Sequence, residues 1–483
     1  MPLRSEAVDV IRIVEGLDGQ VEMSMDLVIR FDYGSVIPWV RRIPGGIHAV
    51  AGPDALLLRS PVEVRGENFH TVSKFTVSAS QRVPFDLTWF PSHHSIPVER
   101  DPMPSLKETV QWWCAWSGRG SYEGPWKDVV IRSAITLKAL IYMPTGGLTA
   151  AATTSLPETP GGVRNWDYRY CWLRDATFTL YSLMTCGYIE EAAAWRDWFL
   201  RAVAGDPSEA QIMYGLAGER RLREFEVDAL PGYQNSRPVR VGNAAYRQFQ
   251  LDVFGEVMDS LHVARRYGLQ PDEYAWSIQK KFMATLELSW SQPDEGIWEV
   301  RGLRRHFTHS KVMAWVAFDR AVKAVERFNA DGPVERWREL RDTIHQQVCD
   351  RGYDPSINSF VQYYGSQKLD ASLLMVPLVG FLPASDPRVK GTVQAIQQGL
   401  MTNGFVSRYR AQPEVDGLPG REGTFLLCTL WLADNLALQG RMREATELFD
   451  RVLAVRNDVG LLSEQYTPRR TVSLATSPRP SRT

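Results

Sequence analysis

Two carboxylates, each beside an aromatic ring, are the residues here whose types could do chemistry together. Glu299 ends Gly296-Ile297-Trp298-Glu299, and Glu464 lies in Ser463-Glu464-Gln465-Tyr466. They stand 165 positions apart, so only a closed fold could bring them face to face. Cleavage of a glycosidic bond asks for such a pair. One carboxyl must be protonated to assist the departing oxygen, and the other ionised to activate water. Indole and phenol rings offer the flat apolar faces on which sugar rings settle. Taken singly, Glu299 could be a solvated loop carboxylate and Glu464 a helix-start carboxylate set against the dipole. Taken together they point to a carbohydrate hydrolase.

The elements that would position this pair need a long chain. At 483 residues two domains are expected, one of them large. Lys and Arg (55) nearly balance Asp and Glu (56), which argues against a nucleic-acid footprint or a polybasic membrane surface. A neutral small molecule is the expected partner, and the sequence leaves oligomerisation open. No apolar run approaches the roughly 20 residues of a membrane span. The opening MPLRSEAVDVIRIVEG carries acidic residues where a signal peptide needs apolar ones, so a cytoplasmic location is expected. The cysteines Cys114, Cys171, Cys186, Cys349 and Cys428 are scattered, without the spacing of a metal or redox site. His306 and His309 have no carboxylate at ligand spacing and read as structural. Neither a metal nor a cofactor is expected.

Residues 1–100 read as strands. Alternation over parts of Val21–Val28, Leu56–Val64 and Val72–Val77, with turns at Pro44-Gly45-Gly46 and Gly66-Glu67-Asn68, predicts an antiparallel β-sandwich. Residues 101–125 read as a linker helix. From 126 to 466 the apolar spacing is helical, with about eleven helices separated by Gly-, Pro- and Asn-rich loops. Long and short loops in alternation suggest an inner and an outer ring, with the long loops building a site at one end. The tail 467–483, TPRRTVSLATSPRPSRT, has no apolar face and reads as disordered.

Four segments carry a specific resemblance. NWDYRYCWLRD at residues 165–175, GIWEVRG, GREGTFLLCTLWLAD and LLSEQY resemble, in order and spacing, glycoside hydrolase family 15, the glucoamylase and bacterial trehalase family. The resemblance runs from about residue 20 to residue 466. It implies a β-sandwich followed by an (α/α)6 barrel, a mainly α chain that removes α-linked glucose with inversion. Carried over by position, Glu299 matches the general acid and Glu464 the general base. Arg174 and Asp175 match the pair that grips the hydroxyls of the cleaved glucose. Tyr168 matches an aromatic facing that ring, with Trp172 and Trp298 helping to wall the pocket. Arg421 matches an arginine on the same sugar, and Arg237 and Asn243, from NSRPVRVGN, are assigned to substrate contacts.

The chemistry sets expectations of its own. A carboxyl beside Trp298 should lose solvation and stay protonated, while its partner should sit in a more polar place and remain ionised. Inversion asks for a separation of ~6.5–9.5 Å. Three departures from the family matter. Val300 stands where glucoamylases carry a second Glu for the next sugar, which favours a trehalase-type activity. Glucoamylase or glucodextranase action on short α-glucans is the alternative. The start also looks short, and the family's GNFPQAFSH segment is absent after LLSEQY. A truncated, catalytically impaired remnant that only binds sugar is therefore a further alternative. A glucan phosphorylase is disfavoured by the matched base.

Overall fold

The computed structural model describes residues 8–205, 209–411, 417, 422–467 and 472–474. The chain divides into two compact units. One runs to Arg119 and takes in the short stretch Val227–Leu230; the other holds Gly120–Glu226 and the chain from Pro231 on.

The first unit is built from eight antiparallel strands: β1 Val8–Glu15, β2 Gln20–Leu27, β3 Trp39–Ile43, β4 Gly46–Ala51, β5 Asp54–Arg59, β6 Arg65–Glu67, β7 His70–Ser78 and β8 Arg82–Pro91. A five-stranded sheet runs β1-β8-β5-β4-β3 and a three-stranded one β2-β7-β6. Met25 and Leu27 from the smaller sheet share a core with Ile47, Leu58, Phe85 and Leu87 from the larger, so the sheets pack face to face. The expected antiparallel sandwich is present. Strand β1 pairs along its whole length with β8, from Val8 opposite Trp89 to Glu15 opposite Arg82. Helix α1, Pro102–Ser117, opens on an Asp101 side chain that accepts from Met103 N, with Pro at the first helical position. It belongs to this first unit, and the boundary falls just after it.

The second unit is helical. Its members are α2 Lys127–Ala139, α3 Leu173–Thr185, α4 Glu190–Ala202, α5 Asp252–Arg266, α6 Glu273–Ser289, α7 Thr308–Phe328, α8 Val334–Arg351, α9 Met375–Leu378, α10 Pro387–Gly399, α11 Leu426–Leu438 and α12 Met442–Leu453. Among the described residues eleven helices thus follow α1, though α9 is a single turn continuing a 3-10 segment, Ala371–Leu374. Burial sorts them into two rings. Helices α5 and α7 are buried almost all round, and α3, α5 and α7 pack side by side. Helices α8 and α12 bury one stripe each, Trp337-Leu340-Ile344-Val348 and Ala445-Leu448-Val452. This alternation of inner and outer helices is the (α/α)6-type architecture. Of the tail 467–483, Thr467 and Val472–Leu474 lie in a three-stranded sheet with Thr424-Phe425, and the remainder lies outside the described residues.

Candidate active site

Glu299 is presented by a tight loop between α6 and α7. Gly296 has φ +70°, and a Cβ there would stand 2.7 Å from the Phe307 ring, so only glycine fits. Glu299 itself adopts φ +55°, a left-handed conformation that costs a non-glycine residue about 1–3 kcal/mol and persists only where the surroundings impose it. Three contacts impose it. Glu299 N donates to Gly296 O at 3.1 Å, and Gln248 Nε2 reaches the carbonyls of Glu299 (3.2 Å) and Val300 (3.1 Å). The neighbouring Trp298 is fixed by Asp370, whose Oδ1 accepts its indole N–H at 2.9 Å. Asp370 also accepts from Ser372 N (2.8 Å) and Gln362 Nε2 (3.0 Å).

Arg174 and Asp175 occupy the first turn of α3. The Arg174 guanidinium donates to Ile297 O, to Asp175 Oδ2 at 3.0 Å and to Glu299 Oε1 at 3.3 Å. It thereby joins α3 to the loop that carries Glu299. Behind it lie Asp252, Glu256 and His309, all buried. Burial pushes the Asp252 carboxyl up to about 6 and the Glu256 carboxyl well above its ordinary value, and holds the His309 imidazole down to about 3. Burial disfavours the Arg174 charge, and Asp175 and then Glu299, ahead of Asp252 and Glu256, outweigh it.

Glu464 comes from the other end of the unit. It does not begin a helix: it directly precedes a strand, Gln465–Thr467, that pairs with Thr424-Phe425. Leu426 N donates to Glu464 O at 3.0 Å, Gly423 N donates to Gln465 Oε1 at 3.0 Å, and Ser463 Oγ donates to Gln465 O at 2.8 Å. The backbone at Glu464 is therefore pinned to the start of α11.

These pieces line one cavity of about 430 Å³. Of the residues anticipated from the sequence, Tyr168, Arg174, Asp175, Asn243, Trp298, Glu299 and Glu464 line it together. Trp172 does not. It is 2% exposed and sits behind Glu299, where its Nε1 donates to Glu299 Oε1 at 2.7 Å. Asn243 lines the wall but its side chain is engaged with backbone, accepting from Ala245 N at 3.0 Å and donating to Asp167 O at 3.3 Å. Arg237 is exposed and stands outside the lining. Arg421 lies outside the described residues. Part of the wall is apolar, formed by Leu137, Phe178, Leu427, Leu430 and Leu462.

The electrostatics depart from expectation. Burial raises the Glu299 pKa; Arg174 opposes this, Asp175 adds to it, and the Trp172 hydrogen bond opposes it again. Glu464 was expected in the more polar setting, yet burial pushes it up to about 7, with Arg408 opposing and Glu158 reinforcing. The reason is local. Two side chains donate to the Glu299 carboxylate, whereas among the described residues none donates to that of Glu464. Burial also raises the Tyr168 phenol well above its ordinary value, and the negative charges of Glu464, Glu158 and Glu299 raise it further. Its ring therefore lies in the field of both carboxylates.

Sequence reasoning missed a buried ion network in the same wall. Arg164 and Arg408 both pair with Glu422, and Arg408 Nη2 lies 2.7 Å from Glu422 Oε2. Glu158 joins them at 3.7 Å from Arg408 and 3.9 Å from Arg164. Arg408 also lies over Trp298, its Cζ 5.4 Å from the ring centroid. Glu422 was within reach, since it adjoins Arg421 in GREGTF. No periodicity or spacing could have joined it to Glu158. Chemically the cavity holds two carboxyls able to exchange one proton with a ligand, a forked cation bonded to one of them, and aromatic faces.

The family model of Glycosyl hydrolases family 15 matches residues 124–479. The chain is 39% identical over 472 residues to a trehalase of Mycobacterium tuberculosis, covering 95% of this chain and 69% of that protein. A trehalase of Thermoplasma acidophilum is 34% identical over 462 residues, covering 95% and 78%. Among solved structures, a wild-type glycosidase superposes with a TM-score of 0.57 at 18% identity, covering 70% of this chain and 86% of that one. Glucoamylase from Saccharomycopsis fibuligera superposes at 0.53 with 14% identity, covering 72% and 90%. At those identities the structures speak for the fold.

Proposed function

Because the chain belongs to glycosyl hydrolases family 15, we propose that it is a trehalase-type enzyme that hydrolyses α,α-trehalose with inversion. Glu299 acts as general acid and Glu464 as general base. The chain is a glycoside hydrolase acting on a sugar substrate, and no helix among its described residues is long and apolar enough to cross a membrane. One observation supports pairing the two carboxyls: Glu299 and Glu464, from distant segments, line a single cavity with Arg174 and Asp175.

The steps follow from the side chains. Arg174 and Asp175 offer donors and an acceptor to adjacent hydroxyls of the glucose to be cleaved, a pairing that rejects sugars lacking them. Glu299, whose pKa burial raises, gives its proton to the glycosidic oxygen as the C1–O bond breaks. Trp172 and Arg174 then stabilise the carboxylate left behind. Glu464 takes a proton from water, whose oxygen bonds to C1 on the opposite face. The attacked glucose leaves as the β-anomer and the departing glucose keeps its α configuration.

Glucose release from trehalose, maltotriose and isomaltotriose, with proton NMR in the first minutes, tests this reading. Preferred release from trehalose with equal α- and β-glucose is expected. Two α-glucoses would exclude inversion, and release only from the trisaccharides would move the enzyme to the glucoamylase or glucodextranase type.

A further inference from the structure

Val300, directly after the acid, is 2% exposed and has its carbonyl tied to Gln248. The acid loop can therefore offer a polar side chain to a second sugar only beyond it. Arg301 is that side chain. It lines the cavity, and 30% of its side-chain surface is exposed. Its guanidinium is held from two directions. Nη2 and Nη1 donate to the two carboxylate oxygens of Glu224 at 2.9 and 3.3 Å, and Cζ lies 4.1 Å from the Trp166 ring centroid. Trp166, which lines the cavity too, also carries Arg240 at 4.6 Å, and Arg240 lies 3.7 Å from Glu224.

A guanidinium has five N–H groups, and the Glu224 fork engages one from each terminal nitrogen. The others are presented in a plane that is already immobilised, so little further entropy is lost when a ligand binds. Adjacent sugar hydroxyls, two oxygens a short distance apart, are suited to such donors. Arg174 bonds Glu299 and belongs with the glucose that is cleaved, whereas Arg301 pairs with Glu224 and with neither carboxylate of the acid–base pair.

We infer that Arg301, clamped by Glu224 and Trp166, holds the second glucose of the disaccharide, the leaving group, and so sets specificity for it. This rests on the reading of Glu299 as the acid of a disaccharide hydrolase. The competing explanation is that the Glu224–Arg301–Arg240 pairs only tie loops together.

The test is a ratio, kcat/KM for trehalose divided by kcat/KM for α-D-glucosyl fluoride, which carries the cleaved glucose but no second sugar. Loss of charged hydrogen bonds to the leaving glucose should lower this ratio at least about 10-fold in Arg301→Gln, with Arg301→Lys between it and the wild type. A ratio within about threefold of the wild type in both variants overturns the inference, because a tie between loops would affect both substrates alike. Should Arg301→Gln fail to fold, Arg301→Lys and Glu224→Gln supply the same ratio. If the wild type cleaves the fluoride but not trehalose, the trehalose reading fails on its own. The ratio is then taken with maltose or isomaltose, whichever is cleaved, and still decides the role of Arg301.

Discussion

The indole Nε1 of Trp172 donates to Glu299 Oε1 at 2.7 Å, tying the strand before α3 to a loop 127 residues later. Trp172 therefore acts on the carboxylate rather than on a sugar face. With Arg174 on the same oxygen, it favours the ionised form against the burial that raises the pKa. The balance leaves Glu299 able to hold a proton and able to part with it.

Glu299→Gln keeps the size and the acceptor for Trp172 but cannot donate a carboxylic proton. Trehalose hydrolysis should fall about 10²–10⁴-fold, the usual contribution of general acid catalysis. Hydrolysis of α-D-glucosyl fluoride, whose leaving group needs little protonation, should fall much less. Steady-state kinetics on the two substrates check this, and wild-type trehalose turnover in the variant would remove Glu299 from its role.

The acidic limb of the pH profile should belong to Glu464, which must be ionised to accept a proton from water. With its carboxyl pushed up to about 7, kcat/KM for trehalose should rise with pH through that region. Arg408 opposes the shift, so Arg408→Gln should move the midpoint to higher pH. A midpoint near the ordinary glutamate range in both proteins would contradict the buried setting of Glu464.

The same shift has a stability consequence with a definite sign. The folded pKa of Glu464 lies above its ordinary 4.5, so the fold prefers the protonated form. That contribution is full below about 4.5 and is lost as pH rises through about 7. Glu464→Gln, permanently neutral, should gain in melting temperature relative to the wild type at pH 8 and gain little at pH 5. Equal differences at the two pH values would count against the shift. In activity the variant should lose about 10²–10⁴-fold, as for removal of a general base.

Asp370→Ala removes the acceptor that orients Trp298 and leaves the buried donors of Trp298, Gln362 and Ser372 without it. Each abandoned buried donor costs about 1–3 kcal/mol, so denaturant unfolding should show a loss of several kcal/mol. Trehalose kcat should fall as well, since Trp298 precedes the acid. Asp370→Asn keeps one acceptor oxygen and should lose less on both counts.

Gly296→Ala should be more damaging than its single methyl suggests. The position combines φ +70° with a Cβ site 2.7 Å from the Phe307 ring. Strain of about 1–3 kcal/mol is expected, with reduced kcat because the Glu299 turn starts here. Unfolding and kinetics at wild-type level would show that the loop adapts.

Much of this protein was legible before any coordinates. Glu299, the Arg174–Asp175 pair and Glu464 each lie in a short contiguous motif through which the family resemblance proposes their roles, and local order along a chain is what sequence records. Strand alternation and helical spacing likewise depend on neighbours a few positions apart, so the β-sandwich and the two helical rings could be anticipated. Other features depend on partners brought together only by closure of the fold. Trp172 could be read as a pocket wall because nothing local shows that its N–H meets residue 299. Asp370 behind Trp298, Gln248 beneath the strained turn, and Glu158 beside Arg408 and Glu422 have no linear signature. The protonation balance of the two carboxylates was out of reach for the same reason. A pKa shift is a sum of desolvation and Coulomb terms over everything within a few ångströms. For Glu464 that surrounding includes Glu158, Arg174 and Arg408, which only the tertiary structure brings near.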